Sequence, residues 1–326
     1  MSSVKHGYEI AFYEAFEEEA DKIKYYLSDP SVAFFTEKTI QDEGHKEIIA
    51  PVISVRTQSI IPLTWALDIK AIISRSTGYD HLLRYKSDTG VNVQTGNLPL
   101  YCSRAVAEQS MLLWMTLLRK LPQQMSALNR FDRNHLTGKE AKGRSLSIFG
   151  VGQIGSEVAN IGLSLGMDVV GVDIDAKYSH IRYVSRDEAL ARADIVVCAM
   201  NLTKENNSYF NDEVLSKVCP GAIFVNVSRG ELSPMVGLYK ALDSGLLSGV
   251  ALDVYNEESN VAGFLRKTSF KQTEELDAFK LLQDHPDVIM TPHNSFNTVE
   301  AVEQKAEQSV KQFLALKETG SLCWVI

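Results

Sequence analysis

The chain lacks the ingredients of several protein classes. Its 326 residues include only 4 cysteines. Cys102, Cys198, Cys219 and Cys323 show neither a CxxC pair nor metal-ligand spacing, which argues against a disulfide framework or a zinc site and for reduced thiols in a cytoplasmic protein. No run of about 18 consecutive apolar residues occurs, so no helical membrane span is expected. The opening MSSVKHGYEIAFYEAFEEEADK has no sustained apolar stretch of the kind a secretory leader carries. Positive charge is scarce: 33 Lys and Arg against 41 Asp and Glu leave a net charge of −8. Nucleic acid and anionic membranes both require a basic face, so neither is an expected partner, and an anionic substrate must be drawn in by local cations. There is no internal repeat and no low-complexity tract; the densest charge run, Glu17 to Asp21, reads as the solvated side of a helix.

What is present begins with SLSIFGVGQIGSEVANIGLSLGMDVVGVD, Ser145 to Asp173. Leu146, Ile148 and Phe149 form a strand, Val158, Ile161, Leu163 and Leu165 recur at helical spacing, and Val169 to Val172 form a second strand. Between strand and helix stands a glycine motif. Gly150 permits a tight turn, Gly152 lets backbone approach a pyrophosphate, and Gly155 allows close helix–strand packing, with Gln153 and Ile154 opening the helix. Asp173, 23 residues after Gly150, is placed to accept both ribose hydroxyls and to repel a 2′-phosphate, favouring NAD over NADP.

The remaining chain alternates strand and helix patterns. Residues 8–13, 32–35, 52–55, 71–74 and 91–93 read as strands, with an amphipathic helix over 15–27. Glycine-bearing loops follow at RSTGYD and GNLPLY. A long helix starts at Ser103 and breaks at Leu121-Pro122, and MSALNRFDRNHLTGKEAKGR reads as a polar connection. Beyond Asp173, strands are expected at 195–198, 222–227, 250–253 and 288–290. Ser233-Pro234 reads as an N-cap followed by proline at the first helical position, and Glu300 to Leu316 as a last helix that returns to the first domain. The expected architecture is α/β: two Rossmann-like or flavodoxin-like domains with parallel sheets and a cleft between them. Residues 1–102 plus 297–326 form a substrate domain and 103–296 an NAD-binding domain.

Arg229 in VNVSRG, Asp253 and Glu258 in ALDVYNEE, and His293 in TPHNSF all fall at strand ends of the second domain, which share one rim in a parallel sheet. Carbonyl reduction by a nicotinamide builds charge on oxygen. It needs a proton donor titrating near neutrality, for which His293 is suited, and a cation for the substrate carboxylate, for which Arg229 is suited. Glu258 bonded to the other ring nitrogen would favour imidazolium and fix its orientation. Taken singly, each also has a bland reading, as a turn histidine, a strand-end arginine or a solvated acid.

VGQIG with its following Asp, then NVSRG, ALDVYNEE and TPHNSF in that order, resembles the D-isomer-specific 2-hydroxyacid dehydrogenase family, and RSTGYDHL with VQTGNLPLYCSRAVAE extends the resemblance over nearly the whole chain. The resemblance implies catalytic Arg229, Glu258 and His293, with Val227 and Asp253 joining the glycine motif in binding NAD. It also implies a substrate site of Thr77, Gly78, Tyr101 and Phe296, no metal, and a homodimer formed through the long helix and its adjoining arm. The segment from Asn260 to His285, RSTGYD, Tyr101 and Phe296 resemble the D-lactate branch, making pyruvate the first expected 2-keto acid. Arg56 in VRTQS resembles an arginine of phosphoglycerate-type members that meets a second anionic group. An NAD(H)-sensing corepressor-like protein of the same fold is the expectation from another class. Pro234 after SRG and Ser259-Asn260 after the acidic pair depart from the family pattern.

Overall fold

Short apolar runs separated by helix-spaced segments form strands and helices in alternation in this computed structural model, which describes residues 7–326. Residues 1–6, the start of the opening read above as lacking an apolar leader stretch, lie outside the described residues. Two compact units result, one running up to Cys102 and including Asn297–Ile326, the other Ser103–Phe296. Both sheets are α/β and parallel.

The first unit contains β1 (Ile10–Phe12), α1 (Glu17–Tyr26), β2 (Ala33–Phe35), α2 (Ile40–Glu43), β3 (Val52–Val55), β4 (Ala71–Ser74), α3 (Asp80–Thr89) and β5 (Gln94–Gly96). Its strand order is β2-β1-β3-β4-β5, the flavodoxin-like order with a switch point between β1 and β3. Alternation along β1 sends Ile10 and Phe12 into one core and Ala11 and Tyr13 into another on the opposite face. Val91–Val93 was expected to be a strand. The observed β5 starts three residues later, because the chain first turns through Gly90 in a left-handed conformation, φ 65°.

The second unit contains α4 (Ser103–Leu118), α5 (Leu121–Ala127), β6 (Ser145–Phe149), α6 (Gln153–Ser164), β7 (Asp168–Val172), β8 (Arg182–Tyr183), α7 (Arg186–Arg192), β9 (Ile195–Cys198), α8 (Asp212–Leu215), β10 (Ala222–Asn226), α9 (Met235–Asp243), β11 (Leu247–Leu252), α10 (Glu258–Leu265), α11 (Glu274–Gln283) and β12 (Val288–Met290). The order β12-β11-β10-β9-β6-β7-β8 is the doubly wound arrangement, with its switch point between β6 and β9. The break at Leu121-Pro122 starts α5, so the expected polar connection holds the last turn of a helix as well as loop. The chain then re-enters the first unit as α12 (Val299–Thr319), capped by the Thr298 hydroxyl on the Ala301 amide. Its Ala306, Val310 and Phe313 share a core with Ile10, Phe12 and Ile23.

Two local expectations need correction. Ser233 is not the N-cap of α9. Pro234 holds the cap position and has no side-chain acceptor, so the Glu275 carboxylate, from α11, accepts the Met235 N–H at 2.9 Å instead. The acidic run Glu17–Asp21 is not uniformly solvated either: Glu19 is 3% exposed. Among the described residues no helix is long and apolar enough to cross a membrane.

Glu275→Ala should lower the unfolding free energy by about 1 kcal/mol, the usual worth of a capping acceptor, read by urea titration of the far-UV circular dichroism. An unchanged midpoint would mean that solvent caps Met235 equally well.

Candidate active site

At the switch point of the second unit, β6 leads into Gly150 with φ 88°, a conformation in which a side chain is strained. A Cβ there would also lie 2.6 Å from the Met200 backbone beyond β9. A Cβ on Gly155 would come 2.0 Å from the Gly150 carbonyl oxygen, so α6 packs against the turn only with glycine at this position. Gly152 differs: a Cβ there would meet no protein atom within 4 Å. It opens α6 without any side-chain cap, leaving first-turn N–H groups directed into open space, the arrangement that suits a pyrophosphate. Gln153 is exposed and Ile154 half-buried on that first turn. Asp173, at the end of β7, is exposed and its carboxylate accepts the Val151 N–H at 2.6 Å and the Asp175 N–H at 3.1 Å, which fixes it beside the glycine turn. Val227 is buried just past β10.

Three more strand ends supply the chemical groups. Arg229 follows β10, half-buried. Its carbonyl accepts from the Asn226 side-chain amide at 2.9 Å and its Nη1 donates to the Ser228 carbonyl at 2.8 Å. A Cβ on the next residue, Gly230, would lie 1.8 Å from the Tyr255 carbonyl carbon. The loops after β10 and β11 therefore touch backbone to backbone, which brings the Arg229 segment against the one leading to Glu258. Glu258 is the first residue of α10, preceded by Glu257 at φ 54°. Its two oxygens both lie 2.9 Å from His293 Nδ1. With the Nδ1 proton donated to this carboxylate, Nε2 is the ring nitrogen available for proton exchange. The ring of Phe296 lies 6.4 Å from the imidazole, edge on.

His293 has φ 51°, rare for a residue with a side chain. What holds it is Asp253, 1% exposed at the end of β11. Its carboxylate accepts the Thr291 hydroxyl at 2.5 Å and the amides of Asn294 and Ser295, each at 2.9 Å. These bonds clamp both sides of the histidine turn. From sequence alone Asp253 was assigned to the cofactor; its clamping of this turn was not foreseen, nor was the close approach at Gly230, although a glycine directly after Arg229 was its visible signal.

In the first unit the substrate-site candidates lie on two stitched loops. Thr77 Oγ1 lies 3.3 Å from both the Leu98 carbonyl, to which it donates, and Cys102 Sγ, and Asn97 donates to the Thr77 carbonyl at 2.6 Å. Gly78 accepts the Ser76 hydroxyl at 2.6 Å. Tyr101 is 7% exposed, and burial raises its hydroxyl well above the ordinary range, so it is neutral. Arg56 follows β3 at the switch point with its guanidinium 5.2 Å from the Phe16 ring centroid; Glu14 accepts its amide at 3.0 Å together with those of Gln58 and Ser59. Beneath them lies an ion cluster that sequence reading missed. Glu19 receives Arg75 Nε at 2.7 Å and Lys305 Nζ at 2.8 Å, all three residues being almost fully buried.

Residues 110–295 match the family model for the NAD-binding domain of D-isomer-specific 2-hydroxyacid dehydrogenases. The chain is 32% identical over 299 residues to a D-lactate dehydrogenase of Streptococcus pyogenes, spanning 88% of both chains. It is 31% identical over 246 residues to an aromatic 2-oxoacid reductase of Clostridium sporogenes, spanning 73% of both. The D-lactate dehydrogenase of Aquifex aeolicus complexed with NAD and lactic acid superposes with a TM-score of 0.83 at 25% identity, covering 97% of this chain and 99% of that one. The chain belongs to the D-isomer-specific 2-hydroxyacid dehydrogenase family. Its cofactor is NAD, and the glycine turn, the uncapped helix start and Asp173 fit that dinucleotide.

Because nothing in the protein opposes a Cβ at Gly152, Gly152→Val should leave the thermal midpoint unchanged while weakening NADH binding about tenfold or more, some 1.4 kcal/mol. Titration of NADH fluorescence measures this. Unaltered affinity would remove Gly152 from the pyrophosphate site.

Proposed function

We propose that the protein reduces a small 2-keto acid, pyruvate first, to the D-2-hydroxy acid, with His293 as the proton donor. The observation that carries this reading is the His293–Glu258 pair, an imidazole with one nitrogen committed to a carboxylate, held in a left-handed backbone conformation by the Asp253 clamp. Backbone strain of this kind costs about 1–3 kcal/mol and persists where function requires it.

NADH, when bound, supplies the hydride to the keto carbon. The side chains do the rest. Arg229 holds the substrate carboxylate by its fork and polarises the carbonyl. His293 delivers the Nε2 proton to the oxygen as it gains charge, and Glu258 stabilises the imidazolium before transfer. The Thr77 and Gly78 backbone and Tyr101 bind the substrate, and Phe296 packs on its methyl group. D-lactate dehydrogenases among the relatives support pyruvate as the substrate to test first.

The protein should oxidise NADH with pyruvate, and His293→Ala should lower kcat by about 10²–10⁴ with NADH affinity retained. Absence of turnover with pyruvate, glyoxylate, hydroxypyruvate, 2-ketobutyrate and oxaloacetate would sink the reading. Equal loss of cofactor binding would make His293 structural.

A homodimer is part of the same proposal. Leu121, Met125, Leu128 and Phe131 are large apolar side chains exposed along α5 and the turn that follows it, a concentration that favours burial against a second copy. Sedimentation should give a dimer that Met125→Asp with Phe131→Asp converts to monomer; a native monomer rejects it.

A further inference from the structure

The strained histidine of the candidate active site folds back on its own chain. The His293 N–H donates to the Thr291 carbonyl at 2.9 Å, closing a three-residue turn over Pro292. The direction of that carbonyl therefore bears on the backbone of His293, whose φ of 51° is costly to hold. The Asp253 carboxylate does not reach it, being an acceptor itself, for the Thr291 hydroxyl and the Asn294 and Ser295 amides. The second lone pair of the carbonyl is taken by Tyr255, whose hydroxyl donates to it at 2.5 Å. The Leu252 carbonyl, 3.5 Å from the same hydroxyl, is too far to compete, and it already accepts the Thr291 N–H at 2.9 Å.

Tyr255 is itself fixed from two sides. Its ring is 7% exposed and stands edge on to Phe279, with centroids 5.5 Å apart, in the core of the second unit. Its backbone meets the segment after Arg229 at the point where a Cβ on Gly230 would lie 1.8 Å from the Tyr255 carbonyl carbon. Three residues further on, the chain enters α10 at Glu258. One residue thus touches the Arg229 segment through its backbone and the His293 turn through its hydroxyl, and leads directly to Glu258. Burial, with Asp253 and Glu258 adding, raises the hydroxyl well above the ordinary tyrosine range, so it stays protonated and keeps its hydrogen to donate. A phenylalanine would fill the same core; packing alone gives no reason for a buried hydroxyl, which costs free energy unless it is bonded.

We propose that Tyr255 is a positioning residue for the reduction: its hydroxyl fixes the Thr291 carbonyl on which the His293 amide folds back, and so holds the imidazole against the Glu258 carboxylate. The inference rests on the reading of His293 as proton donor and adds to it the group that sets the donor's orientation from inside the turn. Asp253 secures the flanks of the turn and Tyr255 its centre.

The test is Tyr255→Phe, made in the native chain and in His293→Ala. In the native background kcat with pyruvate should fall roughly tenfold, the scale of a modest loss of orientation, while NADH affinity by fluorescence titration and the thermal midpoint stay close to native. The midpoint is held because the Thr291 carbonyl keeps the His293 amide and is not left unpaired. In the His293→Ala background the same substitution should cause no further loss, since no imidazole is left to orient. An unchanged kcat in the folded Phe variant overturns the role of Tyr255, and so does a tenfold loss of equal size in both backgrounds. A variant that does not fold, or that loses NADH affinity in step with kcat, makes the hydroxyl structural and overturns it as well. No turnover of any keto acid by the native enzyme overturns the reductase reading and this inference with it, whereas normal native turnover with an unaffected Phe variant overturns the inference alone.

Discussion

Parallel strands place all their carboxyl ends on one edge of a sheet, and that constraint governs where chemistry can occur in this chain. Gly150, Asp173, Arg229, Asp253 and the turn after β12 that bears His293 are separated by up to 143 residues in sequence, 293 minus 150. They still share the rim of a single sheet because each directly follows a strand in the β12-β11-β10-β9-β6-β7-β8 order. The same holds in the first unit, where Glu14, Arg56 and Arg75 follow β1, β3 and β4. The helices pack on the faces of the sheets; the loops at this edge carry the candidate functional groups.

Sharing a rim brings groups within several ångströms, and close backbone contact does the rest. Glycine makes it possible where a side chain would collide: Gly155 against the Gly150 carbonyl, Gly230 against Tyr255. The buried Asp253 carboxylate then converts proximity into orientation. Three donors from the 291–295 turn satisfy it, and the free energy of those charge-assisted bonds offsets the left-handed conformation at His293. An imidazole anchored this way pairs with Glu258 in one geometry, which a solvent-facing turn histidine would not maintain.

The parts of this arrangement legible in sequence are those with local signatures. The glycine motif, the strand runs 52–55, 71–74, 195–198 and 288–290, and the family resemblance on NVSRG and TPHNSF depend on residues near one another, and hydrophobic periodicity reports them faithfully. Contacts made across the fold left no such mark. Glu19 sits in EEEAD and looks solvated, yet it is buried because Arg75 lies 56 residues on and Lys305, from α12, 286 residues on, 305 minus 19. Ser233-Pro234 carried the local signature of a cap, but the acceptor came from Glu275 on another helix. Val91–Val93 had strand composition, and the turn at Gly90 delayed pairing to Gln94.

The two units also carry different kinds of information. Sequence identity to a D-lactate dehydrogenase and to an aromatic 2-oxoacid reductase is almost the same, 32% and 31%, so overall similarity cannot choose between a methyl and an aromatic tail. What is common to such relatives is a reaction at the keto group, and the reduction proposed here draws on the strand-end set of the second unit. A tail has to be selected by contacts that leave that set alone. In the first unit the groups around Tyr101 are charged and buried, and their balance depends on a helix, α12, added after the whole NAD-binding domain. Reaction and selectivity can thus diverge independently, because proton transfer depends on hydrogen bonds at fixed geometry and tail recognition on the shape and polarity of the contacts around it.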